Sequence, residues 1–372
     1  MRSLEQIFRD AFAGIDITVN GDKPWDIQVH NSNFYERVVG GGSLAFGESY
    51  MDGWWDCEAL DQFFFKVFHH RLHKKLPIFN YGFLFLAAAA KLKNLQSKGR
   101  AKQVAFKHYD IGNGLFEKML DSRMMYSCGY WEKANNLEEA QKAKLDLICR
   151  KLKLEKGMKV LEIGCGWGGF AKYAAENYGV SVTAITISEQ QAILARELNE
   201  GLPVEIRLQD YRDVNEKFDR VVSIAMLEAV GYRNYREYME VASRCLKDDG
   251  LFLIHTIGGG HDAKTTDPWI DKYIFPNGVI PSASQLSKSW QGLFVLEDWH
   301  NFGLYYDSTL MAWLKKFEES WGSIKADYDE TFYRMWRYYL CASAATFRAR
   351  YNQLWHIVLT KRQNFNVYQA VR

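Results

Sequence analysis

Val160-Leu161-Glu162-Ile163-Gly164-Cys165-Gly166-Trp167-Gly168-Gly169 is the stretch on which the fold turns. A short apolar strand (160–163) runs into a glycine-rich turn, and 170–177 continues as a helix. Glycines in such a turn let a cofactor approach the backbone where a Cβ would not fit. A lone G-x-G-x-x-G is a weak signal. Its place between a strand and a helix strengthens it. The acid Glu162, two residues before Gly164, suits a cationic methionine moiety better than a pyrophosphate. S-adenosylmethionine is therefore favoured over a dinucleotide.

Downstream the pattern keeps alternating, as in a parallel sheet with crossover helices. Strands are expected at 181–187, 204–208, 218–225 and 251–255. An acid for the ribose normally ends the second strand. Here that place reads Thr186-Ile187-Ser188-Glu189-Gln190-Gln191, so ribose contacts fall to Thr186 and Gln191 or to Glu189. The third strand ends at Gln209-Asp210-Tyr211, where adenine would lie. Ligands of open α/β sheets sit beyond the carboxyl ends of the strands. Glu228 follows the fourth strand and His255 ends the fifth, so both point to one mouth. Cys128, Glu228, His255 and Tyr306 are the candidate polar groups there. Each also has a plain structural use, as core thiol, helix-start charge, sheet-end imidazole or packing ring.

The chain has 372 residues with ordinary globular composition, which excludes disordered and low-complexity classes. Residues 1–75 read as a small α/β unit. Leu4, Ile7, Phe8 and Phe12 have helical spacing, and 15–19 and 27–29 alternate around an Asn20-Gly21 turn. Gly40-Gly41-Gly42 reads as a turn or loop, 60–72 as helix, 76–95 as a linker, and 96–372 as the catalytic domain, helical up to Lys153 before its sheet begins. A unit of 75 residues is marginal alone, so it is expected to pack on the catalytic domain of its own or a partner chain. Six scattered cysteines without a C-x-x-C pair suggest buried cytosolic thiols rather than disulfides or a zinc site. The first residues, MRSLEQIFRDAF, mix charge into the apolar pattern and do not read as a signal peptide. The most apolar stretch, 81–90, is too short to span a bilayer.

Formal net charge is only +2, but its distribution is uneven. Residues 62–109 contain ten Lys and Arg and no Asp or Glu, interleaved with phenylalanines. Such a stretch suits an anionic membrane surface. It also suits nucleic acid or a solvated helix face, although no nucleic-acid motif accompanies it. The chain carries 12 Trp, 21 Tyr and 23 Phe, enough rings to wall an acyl tunnel and to face a developing carbocation.

Taken together the sequence resembles the bacterial cyclopropane-fatty-acyl-phospholipid synthases over nearly its whole length. The resemblance is carried by Gly47-Glu-Ser-Tyr-Met-Asp-Gly-Trp-Trp55, His108-Tyr-Asp-Ile-Gly-Asn113, Tyr126-Ser-Cys-Gly-Tyr-Trp131 and the glycine-rich run. It continues through Thr186-Ile-Ser188, Gln209-Asp-Tyr-Arg-Asp213, His255-Thr-Ile-Gly258, Lys272-Tyr-Ile-Phe-Pro-Asn-Gly278, Glu297-Asp-Trp-His-Asn-Phe-Gly303 and Leu310-Met-Ala-Trp313. Related mycolic-acid synthases lack the N-terminal segment and match less well.

This resemblance implies a class I S-adenosylmethionine-dependent methyltransferase fold: Rossmann-like α/β, with a mostly parallel seven-stranded sheet and a small N-terminal α/β domain. It implies methylene transfer to the cis double bond of membrane phospholipid acyl chains through a carbocation, with bicarbonate as base. By motif, Cys128, Glu228, His255, Ile257 and Tyr306 would hold that bicarbonate, with Tyr126 and Glu297 at further active-site positions. Cofactor contacts would come from Tyr126, Ser127, Gly164, Cys165, Gly166, Thr186, Ile187, Ser188, Gln191, Gln209, Asp210, Tyr211 and Ala225. A homodimer on the inner face of the cytoplasmic membrane is implied too. One departure matters. Family members carry Glu-His-Val-Gly where this chain reads Glu228-Ala229-Val230-Gly231, which removes a hydrogen-bond donor expected beside Glu228. The alternatives are a lipid C-methyltransferase that leaves a methyl branch, and a lipid-binding protein without turnover.

Overall fold

In the computed structural model, residues 3–75 and 112–372 are described. The 76–95 linker and most of the basic stretch and the 108–113 motif lie outside them. Nine strands are present among the described residues. β1 (Gln28–Val29) and β2 (Trp55–Asp56) form a two-stranded antiparallel pair in the N-terminal unit. The others are β3 (Lys159–Ile163), β4 (Ser181–Thr186), β5 (Val204–Leu208), β6 (Phe218–Ile224), β7 (Leu246–Gly259), β8 (Phe294–Asn301) and β9 (Asn352–Lys361). They make one seven-stranded sheet in the order β5-β4-β3-β6-β7-β9-β8. β5 through β7 run parallel, while β9 is antiparallel to both β7 and β8. The order reverses at β3, so the switch point lies at the glycine-rich turn. Strands β3 to β6 fall within a residue or two of the expected ranges. β7 is much longer than expected, because β9 pairs along its second half.

The sequence reading did not identify β8 or β9. β9 is buried along most of its length and shows no alternation, so nothing local separates it from a buried helix.

The N-terminal unit departs from expectation in two places. No hairpin forms around Asn20-Gly21: Val19 makes only an isolated bridge to Ile27, and Gln28–Val29 pairs with Trp55–Asp56 instead. The Asp26 carboxylate accepts from the Thr18 amide at 2.7 Å and the Lys23 amide at 3.0 Å, holding the turn by a side chain. The glycine run lies inside the helix Phe34–Met51, with a kink at Gly42 (φ 61°, ψ −140°). Phe34, Val38, Phe46 and Tyr50 bury one face of that helix, and this burial outweighs the poor propensity of the glycines.

The unit shares its core with the rest of the chain. Phe8, Phe34, Trp55 and Phe63 join Trp269, Trp313, Trp336 and Phe347 in one cluster. Helix Leu60–His69 packs on helix Glu330–Arg348. Across the junction Arg334 donates to the Trp55 carbonyl at 2.8 Å, and Arg337 donates to Tyr50 Oη at 2.9 Å. Arg348 joins Asp61 to Asp307 at 2.7 and 2.9 Å. All six cysteines are buried and free.

Candidate active site

The turn after β3 is pinned by two amides, Gly164 and Cys165, which donate to the Ile185 carbonyl at 3.0 and 2.9 Å. Gly164 has φ +83°, and a Cβ there would stand 2.6 Å from Met226 Cγ. Glu162, on β3, is buried, and its Oε2 has no partner among the described residues. Burial pushes its carboxyl far above the usual range. A buried acid with one free oxygen beside the cavity, with Lys144 behind it, is a counter-charge for a cationic ligand. Thr186 Oγ1 donates to Gln191 Oε1 at 3.1 Å and accepts from the Ser188 amide at 3.2 Å. Ser188 caps the helix Glu189–Leu198. Asp210 is held by Arg212 at 3.0 Å, and Tyr211 meets Tyr238 edge-on. Every cofactor position expected from the sequence, from Tyr126 to Ala225, lines one cavity of about 740 Å³. These residues fit S-adenosylmethionine.

Ala225, just after β6, stands in the left-handed region at φ 52°, and its amide donates to the His255 carbonyl at 2.8 Å. This bend starts the short helix Leu227–Val230, which carries Glu228 into the cavity. Glu228 Oε1 accepts from the Ile257 amide at 2.6 Å, and its Oε2 is buried without a partner among the described residues. Burial raises its carboxyl above the usual range. The Ile257 amide, expected at the bicarbonate, is thus engaged by Glu228. It supplies a donor to the carboxylate that Ala229 cannot.

Tyr126, Tyr306 and Ile257 line the cavity, whereas Cys128 and His255 do not. Both are fully buried. The Cys128 thiol, raised well above its ordinary range by burial, donates to the Gly129 carbonyl at 3.2 Å. His255 Nδ1 is 2.9 Å from His356 Nε2, its Nε2 has no partner among the described residues, and burial keeps the ring neutral. Glu297 is not brought to this site. It stands on β8, where Thr360 donates to it at 2.6 Å, at the end of the sheet away from the mouth.

Two residues escaped sequence reading. Lys144 is buried behind the cradle, donates to Ser127 Oγ at 2.7 Å, and is held by burial at a pKa of about 8. Its signal was present: Leu137, Ala140, Gln141, Lys144, Leu145 and Ile148 form the buried stripe of the helix Leu137–Lys151. His356 had no signal, because β9 itself was not recognised. Tyr126, Ser127 and Cys128 lie on irregular chain between helices Asn113–Met119 and Leu137–Lys151, not on the continuous helical region expected there.

Beyond Glu228 the cavity continues between Tyr306, Phe275 and Tyr339 into the N-terminal unit, reaching Phe46, Phe64 and Phe68. Trp313 packs against Tyr126 and Tyr306, with ring centroids at 5.0 and 6.1 Å. This is a cofactor cradle opening on an aromatic, apolar channel. Residues 96–357 match the family model of mycolic acid cyclopropane synthetase. The chain belongs to the cyclopropane synthase family.

The chain is 52% identical to the cyclopropane-fatty-acyl-phospholipid synthase of Escherichia coli K12, over 96% of this chain and 93% of that one. It is 30% identical to the solved cyclopropane synthase MmaA2 of Mycobacterium tuberculosis, with a TM-score of 0.66 over 70% of this chain and 98% of that one. The mycolic acid cyclopropane synthase CmaA1, solved with SAH and CTAB, matches at 31% identity and a TM-score of 0.66, again over 70% and 98%. These family members thus share the catalytic half and its cofactor class. The chain is an S-adenosylmethionine-dependent methyltransferase with a seven-stranded α/β sheet.

Proposed function

We propose that the protein transfers a methylene from S-adenosylmethionine across the cis double bond of phospholipid acyl chains. The observation that carries this reading is the single cavity joining the Gly164 turn, the Glu228 carboxyl and an aromatic channel into the N-terminal unit. An acyl chain fits that channel, and its double bond would reach the cradle while water is excluded. S-adenosylmethionine, when bound, supplies the electrophilic methyl group. Glu162 meets its positive charge. Tyr126, Tyr306 and Phe275 offer ring faces to the cation that develops on the acyl chain. The reaction must also remove one proton from the transferred carbon.

The unpartnered Oε2 of Glu228, with Tyr306 on the same cavity wall, fits a small hydrogen-bonding base such as bicarbonate; the unpartnered Nε2 of His255 and the Cys128 thiol would serve it from behind that wall. In this reading residues 1–75 and 96–372 work as accessory and catalytic parts joined by 76–95. The basic stretch seats a homodimer on the anionic inner face of the cytoplasmic membrane. No described helix is long and apolar enough to cross it.

The test is incubation with unsaturated phospholipid vesicles, bicarbonate and S-adenosylmethionine, followed by proton NMR of the extracted lipid. High-field ring protons are the expected result. A methyl branch without ring protons would instead identify a branching methyltransferase, and unchanged lipid would reject both.

A further inference from the structure

Cyclopropanation converts a transferred methyl to a methylene, so each turnover releases one proton at the inner end of the cavity, beside Glu228. That proton needs a way out. Three histidines lie in register across three adjacent strands: His255 on β7 faces His356 on β9, and His356 faces His300 on β8. Residues directly opposite in a sheet share a face, so all three imidazoles stand on one side. His255 is two residues from Ile257, on the same face and about 6.6 Å along the strand. The Ile257 amide holds Glu228 in the cavity.

The contacts run in series. His255 Nδ1 and His356 Nε2 share a 2.9 Å hydrogen bond. His255 Nε2 on one side and His356 Nδ1 on the other are buried with no partner among the described residues. The ring centroids of His356 and His300 are 6.5 Å apart, with Phe302 packed against both at 4.7 and 5.0 Å, so the connection between them needs one bridging water; His300 Nδ1 is likewise buried and unpartnered among the described residues. β8 is the edge strand of the sheet and His300 is half-buried, so the row ends near solvent.

We propose that His255, His356 and His300 form the exit for the proton released at each turnover. This rests on the cyclopropanation reading. The proton enters at His255 Nε2 while the proton on Nδ1 passes to His356 Nε2. The proton on His356 Nδ1 then crosses the water to His300 and leaves to bulk solvent. One proton enters, one leaves, and each ring ends neutral in its other tautomer. Rotation of each ring, which exchanges its two nitrogens, restores the start without returning the proton.

The surroundings suit transmission rather than storage. Burial depresses the pKa of all three rings, that of His300 to about 4. Lys144 bears on His255 and His356, and Lys151 on His356 and His300. Arg372 also bears on His300, while Asp298, paired with Lys151 and Arg372, opposes them. Tyr130 and Phe302 pack on His300.

Two variants test the path, with ring-proton formation by the wild-type enzyme as the control. His356→Gln keeps an amide at the Nε2 position but cannot pass a proton on. We expect kcat to fall about tenfold or more, with S-adenosylmethionine affinity by calorimetry within about twofold of wild type. His300→Ala should slow turnover in dilute buffer, recover with added imidazole, and show a larger solvent deuterium effect than wild type. Undiminished kcat in His356→Gln overturns the relay, as does a loss in His300→Ala that imidazole does not relieve. If His356→Gln does not fold, the imidazole dependence of His300→Ala decides. If the wild-type enzyme forms no cyclopropane, the functional reading fails and the relay falls with it.

Discussion

Glu162 and Glu228 are both buried carboxyls, each with one oxygen lacking a partner among the described residues, yet they do different work. Glu162 stands at the base of the cradle, where the cofactor's cation would settle. Its folded pKa is raised, so acid protonates it in folded and unfolded chain alike. As pH rises from the usual carboxylate range, the unfolded chain ionises first and the ligand-free fold loses stability. Glu162→Gln should flatten that decline in a thermal-unfolding series and raise the ligand-free melting temperature at neutral pH. The same change should weaken S-adenosylmethionine by about 2–5 kcal/mol, measured by calorimetry. Glu228→Gln should behave in the opposite way. It should leave cofactor binding nearly intact and cut kcat by about 10²–10³, because it removes charge only where the cation forms. Equal turnover in that variant would place the chemistry elsewhere. At this scale Glu162 and Glu228 were legible from motif and strand-end position. Lys144 was passed over despite its place on the apolar stripe, because a lysine there reads as exposed until its partner Ser127 is placed behind the cradle.

The kinked helix Phe34–Met51 shows what an element adds. Its glycines look like a loop, and the kink at Gly42 keeps part of that character. Five residues on, Gly47 passes against the Trp269 indole of helix Pro268–Tyr273, so close that a Cβ would stand 2.8 Å from the indole Cγ. The contact seats the N-terminal unit beside the cavity. Gly47→Ala should therefore destabilise the protein by about 1–3 kcal/mol in denaturant unfolding, through overpacking against a buried ring. Wild-type stability in that variant would mean the two helices separate without cost. Lys272 supports the same junction through Glu48 at 2.6 Å, although an exposed pair of this kind adds little. The strand that carries His356 belongs to this scale too. β9 inserts between β7 and β8 and so creates the histidine row that no segment holds alone.

At the scale of the molecule, the N-terminal unit is a wall of the channel rather than an appendage. Phe46, Phe64 and Phe68 line the same cavity as Glu228. After Lys75 the sequence continues into its basic stretch, whose proposed partner is an anionic bilayer surface. Neutralising Lys91, Lys93, Lys98 and Lys102 together should weaken binding to anionic vesicles by about 1 kcal/mol per charge in a flotation assay. The loss should shrink in high salt. Unaltered binding at low salt would assign membrane contact to another surface.

Local chemistry set much of this protein from sequence alone. The glycine-rich turn after 160–163, the alternation that follows it and Glu162 determine a parallel α/β sheet with a site for a cationic cofactor at its switch point. Those features depend on backbone freedom, side-chain periodicity and charge within a few residues, which a single segment contains. Tertiary structure decided what depends on distant segments meeting. It inserted β9 between β7 and β8, drew the Ile257 amide onto Glu228, left Glu297 away from the mouth of the sheet, and merged the N-terminal rings with the channel. Buried strands without alternation and helices held by packing carry no local signature, because the interactions that stabilise them belong to partners far away in the sequence.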